Sequence, residues 1–237
     1  MAKTNKNILG DQSGKIGKVV GRVVNGVQLY SAYNNHNSNP RTPKQLAARA
    51  RFKAVMSLAK PLNGVVNIGL RLTASGIAMT SPTNIFTKLN SSRMQYDATT
   101  GIATPDYENL ILSDGRTPYV EFGTASFSES QSVNVPFTSP TGSEFGAFDD
   151  DTIYVAVLCP ERGECTIGTA KRTDTNIITT VPPNWVGKTV YVWGFVRTSV
   201  DEDSLIESIG VKLHPNECSP TSYIGTGVIS QCFRWKK

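Results

Sequence analysis

Hydrophobic and polar positions change rhythm several times along the chain. Between residues 8 and 33 short apolar runs are broken by glycines. Lys18-Val19-Val20-Gly21-Arg22-Val23-Val24 and Val27-Gln28-Leu29-Tyr30 flank the pair Asn25-Gly26. An Asn-Gly pair tolerates the positive φ angles of a type I′ turn, so this stretch predicts a β-hairpin. A polar loop over residues 34–40 leads into a helical signature. Thr42 suits an N-cap, Pro43 the first helical position and Gln45 the far side of a capping box, while Pro61 stops the helix near Ala59. On that helix Phe52, Val55, Met56 and Ala59 share a face expected to be core, and Arg49, Lys53 and Lys60 share a basic stripe. Residues 62–79 fit helix or strand, and Ser81-Pro82 opens a second short helix through Ile85, Phe86 and Leu89.

After Tyr107 the rhythm turns to short runs rich in Val, Ile, Tyr and Phe between turns. They are Leu110–Leu112, Tyr119–Phe122, Ser132–Phe137, Thr152–Cys159, Cys165–Thr169, Asn176–Val181, Thr189–Arg197, Ser208–Leu213 and Ser222–Ser230. Strands at this spacing predict an antiparallel immunoglobulin-like β-sandwich. In Thr189–Arg197 the aromatic residues Tyr191, Trp193 and Phe195 alternate on one side, as a core requires, and Val190, Val192 and Val196 lie on the other. That strand is therefore buried on both faces or meets a subunit. The fold class expected is α+β, mainly β. A basic N-terminal hairpin and helical module over residues 1–115 precedes an acidic sandwich over residues 116–237.

Composition adds a charge split. Of the 237 residues 39% are hydrophobic, enough for a core. No run of about 18 apolar residues occurs, so no membrane-spanning helix is expected. The start Met1-Ala2-Lys3-Thr4-Asn5-Lys6 leads only to Ile8-Leu9 before Gly10, which is not the apolar region of a secretory signal. Residues 1–100 carry 14 Lys and Arg against two acids, Asp11 and Asp97, whereas residues 101–237 carry 10 against 17. The basic half favours an anion, either nucleic acid or an acidic neighbour in an assembly, or else serves solubility. The candidate interface residues are Lys15, Lys18, Arg22, Asn25, Gly26, Arg49, Lys53 and Lys60.

Catalytic chemistry finds little purchase. Gly10-Asp11-Gln12-Ser13-Gly14-Lys15 is one residue short of a phosphate loop, and Ile16 stands where Ser or Thr would hold magnesium. Gly187-Lys188-Thr189 lacks the earlier glycine and enters a strand, so both fragments read as turns. The two histidines, His36 and His214, have no nucleophile elbow beside them. Asp149-Asp150-Asp151 offers oxygen ligands without EF-hand spacing and reads as a solvated turn. Cys159 and Cys165 flank a hairpin loop and sit within bridging range. With Cys218 and Cys232 they fit no common zinc spacing, and four reduced thiols are expected. No catalytic residue, metal or cofactor is assigned, and a non-enzymatic protein is expected.

The string Gly10-x-x-Ser13-Gly14-Lys15-Ile16-Gly17-x-Val19-Val20-Gly21 resembles the opening of an uncharacterised family of proteins from Bacteroidetes and their phages. The similarity continues through Arg41-Thr42-x-x-Gln45-Leu46-Ala47, Pro61-Leu62, Asn67-Ile68-Gly69, Asp106-Tyr107, Leu112-Ser113-Asp114-Gly115, Pro183-x-Trp185-x-Gly187 and Ser222-Tyr223-Ile224-Gly225. Asp201–Pro220 departs from it. Related proteins in crAss-like phages resemble tail ring proteins. The resemblance implies a structural virion protein: a subunit of a homo-oligomeric ring in a phage tail barrel through which DNA passes. It would be made in the bacterial host cytoplasm and would contact adjacent tail proteins, with DNA nearby but not bound sequence-specifically, and no membrane. The alternative is a bacterial surface or adhesion module, or a nucleic-acid-binding module, of the same family.

Overall fold

In the computed structural model the described residues are 2–4, 12–24, 26–34, 39, 41–71, 73, 80–128, 131–140, 146–200, 204–206 and 211–229. Among the described residues the chain is mainly β with three full α-helices, and the strand pairs are antiparallel. It divides into two compact units, residues 1–45 and 46–237.

The first unit is a four-stranded sheet of β1 (Ala2–Thr4), β2 (Gly14–Ile16), β3 (Val19–Val24) and β4 (Val27–Ala32), in the order β1-β4-β3-β2. The expected hairpin is β3–β4, with Val24 opposite Val27. Gln28 is buried and ties residue 12 across the sheet. Its Oε1 accepts from the Gln12 amide at 2.9 Å, and its Nε2 donates to the Gln12 carbonyl at 2.7 Å.

The second unit has three layers. A central sheet of β10 (Thr152–Cys159), β11 (Glu164–Lys171), β13 (Thr189–Arg197) and β16 (Ser222–Val228) runs in the order β11-β10-β13-β16. Alternation divides its side chains between two cores. Ala156, Leu158, Trp193 and Phe195 face the helical layer of α1 (Pro43–Ala59), α2 (Asn63–Gly69) and α3 (Pro82–Asn90), where Val55, Leu58, Val65, Val66, Ile85 and Phe86 meet them. On the opposite face Ile153, Val155, Val157, Val190, Val192 and Val196 pack against a second sheet. That sheet comprises β12 (Asn176–Thr180), β9 (Ser132–Thr138) and β7 (Glu121–Phe122), with β8 (Ser126–Ser128) also paired to β9. The β13 strand is thus buried on both faces, the first of the two readings its two-sided apolar pattern left open. Two small hairpins complete the unit, β5 (Met94–Tyr96) with β6 (Ala103–Pro105) and β14 (Ser204–Ile206) with β15 (Val211–Leu213).

The helix ends follow their local signals. Gln45 Oε1 accepts from the Thr42 amide at 3.4 Å, one half of the capping box. Ser81 Oγ accepts from the Asn84 amide at 3.3 Å ahead of Pro82. Within residues 62–79 the segment Asn63–Gly69 is helix, and residues 74–79 lie outside the described residues.

The two compact units meet at residue 45, and the helices bury their apolar faces on the central sheet and share its core. Two expectations are corrected. Leu110–Leu112 is not a strand. Its amides go to side chains instead of a ladder, Ile111 N to Asn90 Oδ1 at 2.9 Å and Leu112 N to Thr221 Oγ1 at 2.8 Å. On α1 the inward face is Val55, Leu58 and Ala59, whereas Phe52 and Met56 are 56% and 40% exposed.

Candidate functional site

The sequence-selected cations fall in both units. In the first, Lys15 pairs with Val20 in register, which puts Lys15 and Arg22 on one face of the sheet. Lys15 Nζ lies 3.7 Å from the centroid of the Tyr33 ring, a cation–π contact. Lys18 sits in the turn between β2 and β3. Gly26, with φ +74°, sits at the other end of β3, roughly 20 Å away at the rise of a six-residue strand. Asn25 lies outside the described residues. The four described positions do not converge on one spot.

In the second unit Arg49 and Lys53 are exposed on α1, and Lys60 is exposed in the turn directly after it. At 100° per residue they occupy one sector with Leu46, and Phe52 and Met56 adjoin it on the flank nearer the core. Pro43–Ala59 contains no acid, and among the described residues the ion pairs are Lys171–Asp150, Arg172–Asp151 and Lys188–Glu161. The α1 cations are therefore unpaired within the described chain. Clefts flank the helix on both sides. One, about 250 Å³, is lined by Met56, Ala59, Lys60, Asn63 and Thr83. The other, about 310 Å³, runs past Ala50, Lys53, Ala54 and Ser57 to the exposed Ile102.

The remaining polar clusters serve the fold. Asp151 is fully buried, in contrast to the solvated turn expected. Its Oδ2 accepts from Arg172 Nε at 2.8 Å and from the Phe148 amide at 3.2 Å. Its Oδ1 accepts from the Ser199 amide at 2.8 Å and from the Thr198 hydroxyl at 3.2 Å. Arg172 also donates to Ser139 Oγ at 2.9 Å and to the Pro118 carbonyl at 2.6 Å. Both Asp151 oxygens are occupied, so a cation at this carboxylate would have to displace protein donors. Sequence offered no local signal for the pair, since its members are 21 residues apart. Trp185 and Trp193 are core residues rather than a stacking platform. Trp185 Nε1 donates to Glu164 at 2.7 Å and Trp193 Nε1 to the Tyr107 carbonyl at 3.0 Å.

The thiols are arranged against reactivity. Cys159 points into the core between the sheets while Cys165 points toward the helical layer, because Cys165 is paired with Leu158 and lies one position out of phase with Cys159. Neighbouring strands thus hold the two on opposite faces. Burial pushes the Cys165 and Cys218 thiols up to about 12, so both stay protonated at neutral pH. Cys232 and His36 lie outside the described residues. Among the described residues no three His, Cys, Asp or Glu side chains are close enough to share a metal ion, and no helix is long and apolar enough to cross a membrane.

The sequence pattern of a family of unknown function (DUF6266) matches residues 11–210. The chain belongs to that family. The matched stretch of this DUF6266 protein takes in parts of both units, from β2 through β10, β11 and β13 of the central sheet to residue 210, and stops before β16. No protein of curated function matches the chain.

Proposed function

We propose that this chain is a structural, non-enzymatic protein, a subunit of a homo-oligomeric ring in a phage tail barrel, assembled in the host cytoplasm and carried in the virion. The outer face of α1 and the turn after it carry the reading: exposed Arg49, Lys53 and Lys60, without acidic partners among the described residues, are flanked by exposed Leu46, Phe52 and Met56. Apolar anchors among charges are the composition of a protein-binding surface, where burial supplies affinity and charge supplies register. The N-terminal string's resemblance to an uncharacterised Bacteroidetes and phage family, whose relatives in crAss-like phages resemble tail ring proteins, supplies the context. At finer resolution we read the two packed antiparallel sheets as an immunoglobulin-like sandwich, with the helical layer added to its outer face.

Nucleic acid binding is the competing use of the same cations. Phosphate contacts would engage Arg49, Lys53 and Lys60 but leave Leu46 and Met56 without a counterpart. Light scattering and negative-stain microscopy of the purified chain, with mass spectrometry of virions of the encoding phage, test the proposal. Closed rings of uniform copy number, or rings nucleated by a neighbouring tail protein, are expected. A protein that stays monomeric and is absent from virions refutes it. A free monomer whose DNA affinity falls steeply with salt would establish the nucleic acid reading instead.

A further inference from the structure

Taking the chain as a self-assembling subunit, we infer that the outer face of α1 in one copy docks on the second sheet of the next, with Phe52 entering the cleft beside Tyr119. That cleft holds about 460 Å³ and is lined by Pro118, Tyr119, Glu121, Thr138, Ser139 and Pro140. Its walls are mostly apolar, and Tyr119 is 62% exposed. Glu121 stands opposite Thr138 on the outward face of the β7–β9 pair, and among the described residues it makes no ion pair. Ile178 on β12 is a further outward apolar residue, 64% exposed.

The two surfaces match in chemistry. The helix offers an exposed aromatic residue and a thioether rimmed by cations. The cleft offers proline and tyrosine walls rimmed by a carboxylate. Arg172 makes the cleft rigid, because its guanidinium holds the Pro118 carbonyl of one wall and the Ser139 hydroxyl of the other. A preformed cavity of this kind receives a side chain without an ordering cost.

Layer order makes the contact intermolecular. The α1 face belongs to the helical layer and the cleft to the second sheet, with the central sheet between them. Neither surface can reach the other within one copy. A front-to-back contact uses two different patches, so it propagates from copy to copy and closes by rotation instead of stopping at a dimer.

The test uses the full chain. A benzoylphenylalanine photo-crosslinker at position 52 is expected to mark residues 118–140 of a second copy. Phe52→Ala is expected to weaken self-association at least about tenfold. Lys53→Glu and Glu121→Lys should each weaken it about tenfold, and the double variant should recover to within about threefold of the original, because the reversed pair again carries opposite charges. Both residues are exposed, so these variants fold; tryptophan fluorescence checks this. Rings whose photo-adducts lie elsewhere, on α1 of the neighbour for instance, overturn the docking and leave the assembly reading in place. Single variants that assemble normally, or a double variant that stays as weak as the singles, overturn it as well. A protein monomeric at every concentration and absent from virions refutes both.

Discussion

Replacing Asp151 with alanine removes a carboxylate that accepts hydrogen bonds from Arg172, Phe148, Thr198 and Ser199 at 2.8–3.2 Å. Both side chains of the ion pair are wholly inaccessible to water, so the Arg172 charge cannot be resolvated in place. Losing one partner of a buried pair costs about 3–5 kcal/mol. Orphaned buried amides at Phe148 and Ser199 add to that, at about 1–3 kcal/mol each where no water replaces the acceptor. A loss of at least about 4 kcal/mol is expected, a large share of the roughly 5–15 kcal/mol that holds a typical domain. Urea unfolding followed by fluorescence suits the measurement, since Trp185 and Trp193 are fully buried in the unit concerned. With a slope of about 2–3 kcal/mol per molar urea the midpoint should fall by at least about 1.3–2 M. Arg172→Met should be similarly damaging. Asp151→Asn combined with Arg172→Met removes both charges, keeps an acceptor at position 151, and should recover at least half of the loss. A midpoint for Asp151→Ala within about 0.3 M of the original would refute the reasoning, because a change that small means water already reaches the pair.

Two further outcomes follow from packing and burial. A Cβ on Gly194 would lie 2.4 Å from Phe122 Cζ, so Gly194→Ala should cost about 1–3 kcal/mol in the same urea assay, and a companion Phe122→Leu should recover part of it. The Cys218 thiol, buried and held protonated to about 12 against an ordinary value of 9.0, makes stability alkaline-sensitive. The unfolded thiol releases its proton near the lower value and the folded one near the higher. Its contribution is therefore intact below about pH 9 and declines toward pH 12, by about 1.4 kcal/mol per pH unit. The half-buried Cys165, pushed the same way to about 12, reinforces the decline. Urea midpoints between pH 8 and 11 check the slope, and it should flatten in a Cys165→Ala, Cys218→Ala double variant.

The legible parts of the fold carry their signals within a few residues. Thr42, Pro43, Gln45 and Pro61 bracket α1, and the observed span Pro43–Ala59 is the expected one. The runs Thr152–Cys159 and Thr189–Arg197 are β10 and β13 end to end, because long Val- and Tyr-rich stretches leave little choice of bounds. Strands of two or three residues, such as β5, β6 and β8, have no periodicity to detect. Leu110–Leu112 failed because tertiary side-chain acceptors, Asn90 and Thr221, took the hydrogen bonds that the pattern had assigned to a neighbouring strand. Asp151 could not be separated from Asp149 and Asp150 until Arg172 was brought to it across the edge of the sheet. The phase of α1 was the consequential miss. A stripe through Phe52, Val55, Met56 and Ala59 fits a helical period as well as the buried one through Val55, Leu58 and Ala59 does. Only the position of Trp193 and Leu158 beneath the helix selects between them. The cations of the candidate surface were legible; their apolar companions were not.

Those companions change what the charge asymmetry can do. Fourteen basic residues against two acids in the first 100 positions would, on repeated copies around one axis, accumulate repulsion with every subunit added. Contacts between identical patches would bring α1 cations against α1 cations and compound that cost. A contact between the helical layer and the second sheet instead sets Arg49, Lys53 and Lys60 against a surface from the half of the chain with 17 acids to 10 basic residues. Each added copy then brings its own neutralising partner, so the electrostatic cost per contact does not grow with copy number. Phe52 and Met56 supply the short-range attraction that charge in water cannot, since exposed pairs are worth under about 1 kcal/mol each. In the proposed contact, the pairing of anchor and cation on one helix face would let a basic module assemble without an external polyanion. DNA passing through such a ring would find these cations already engaged by protein.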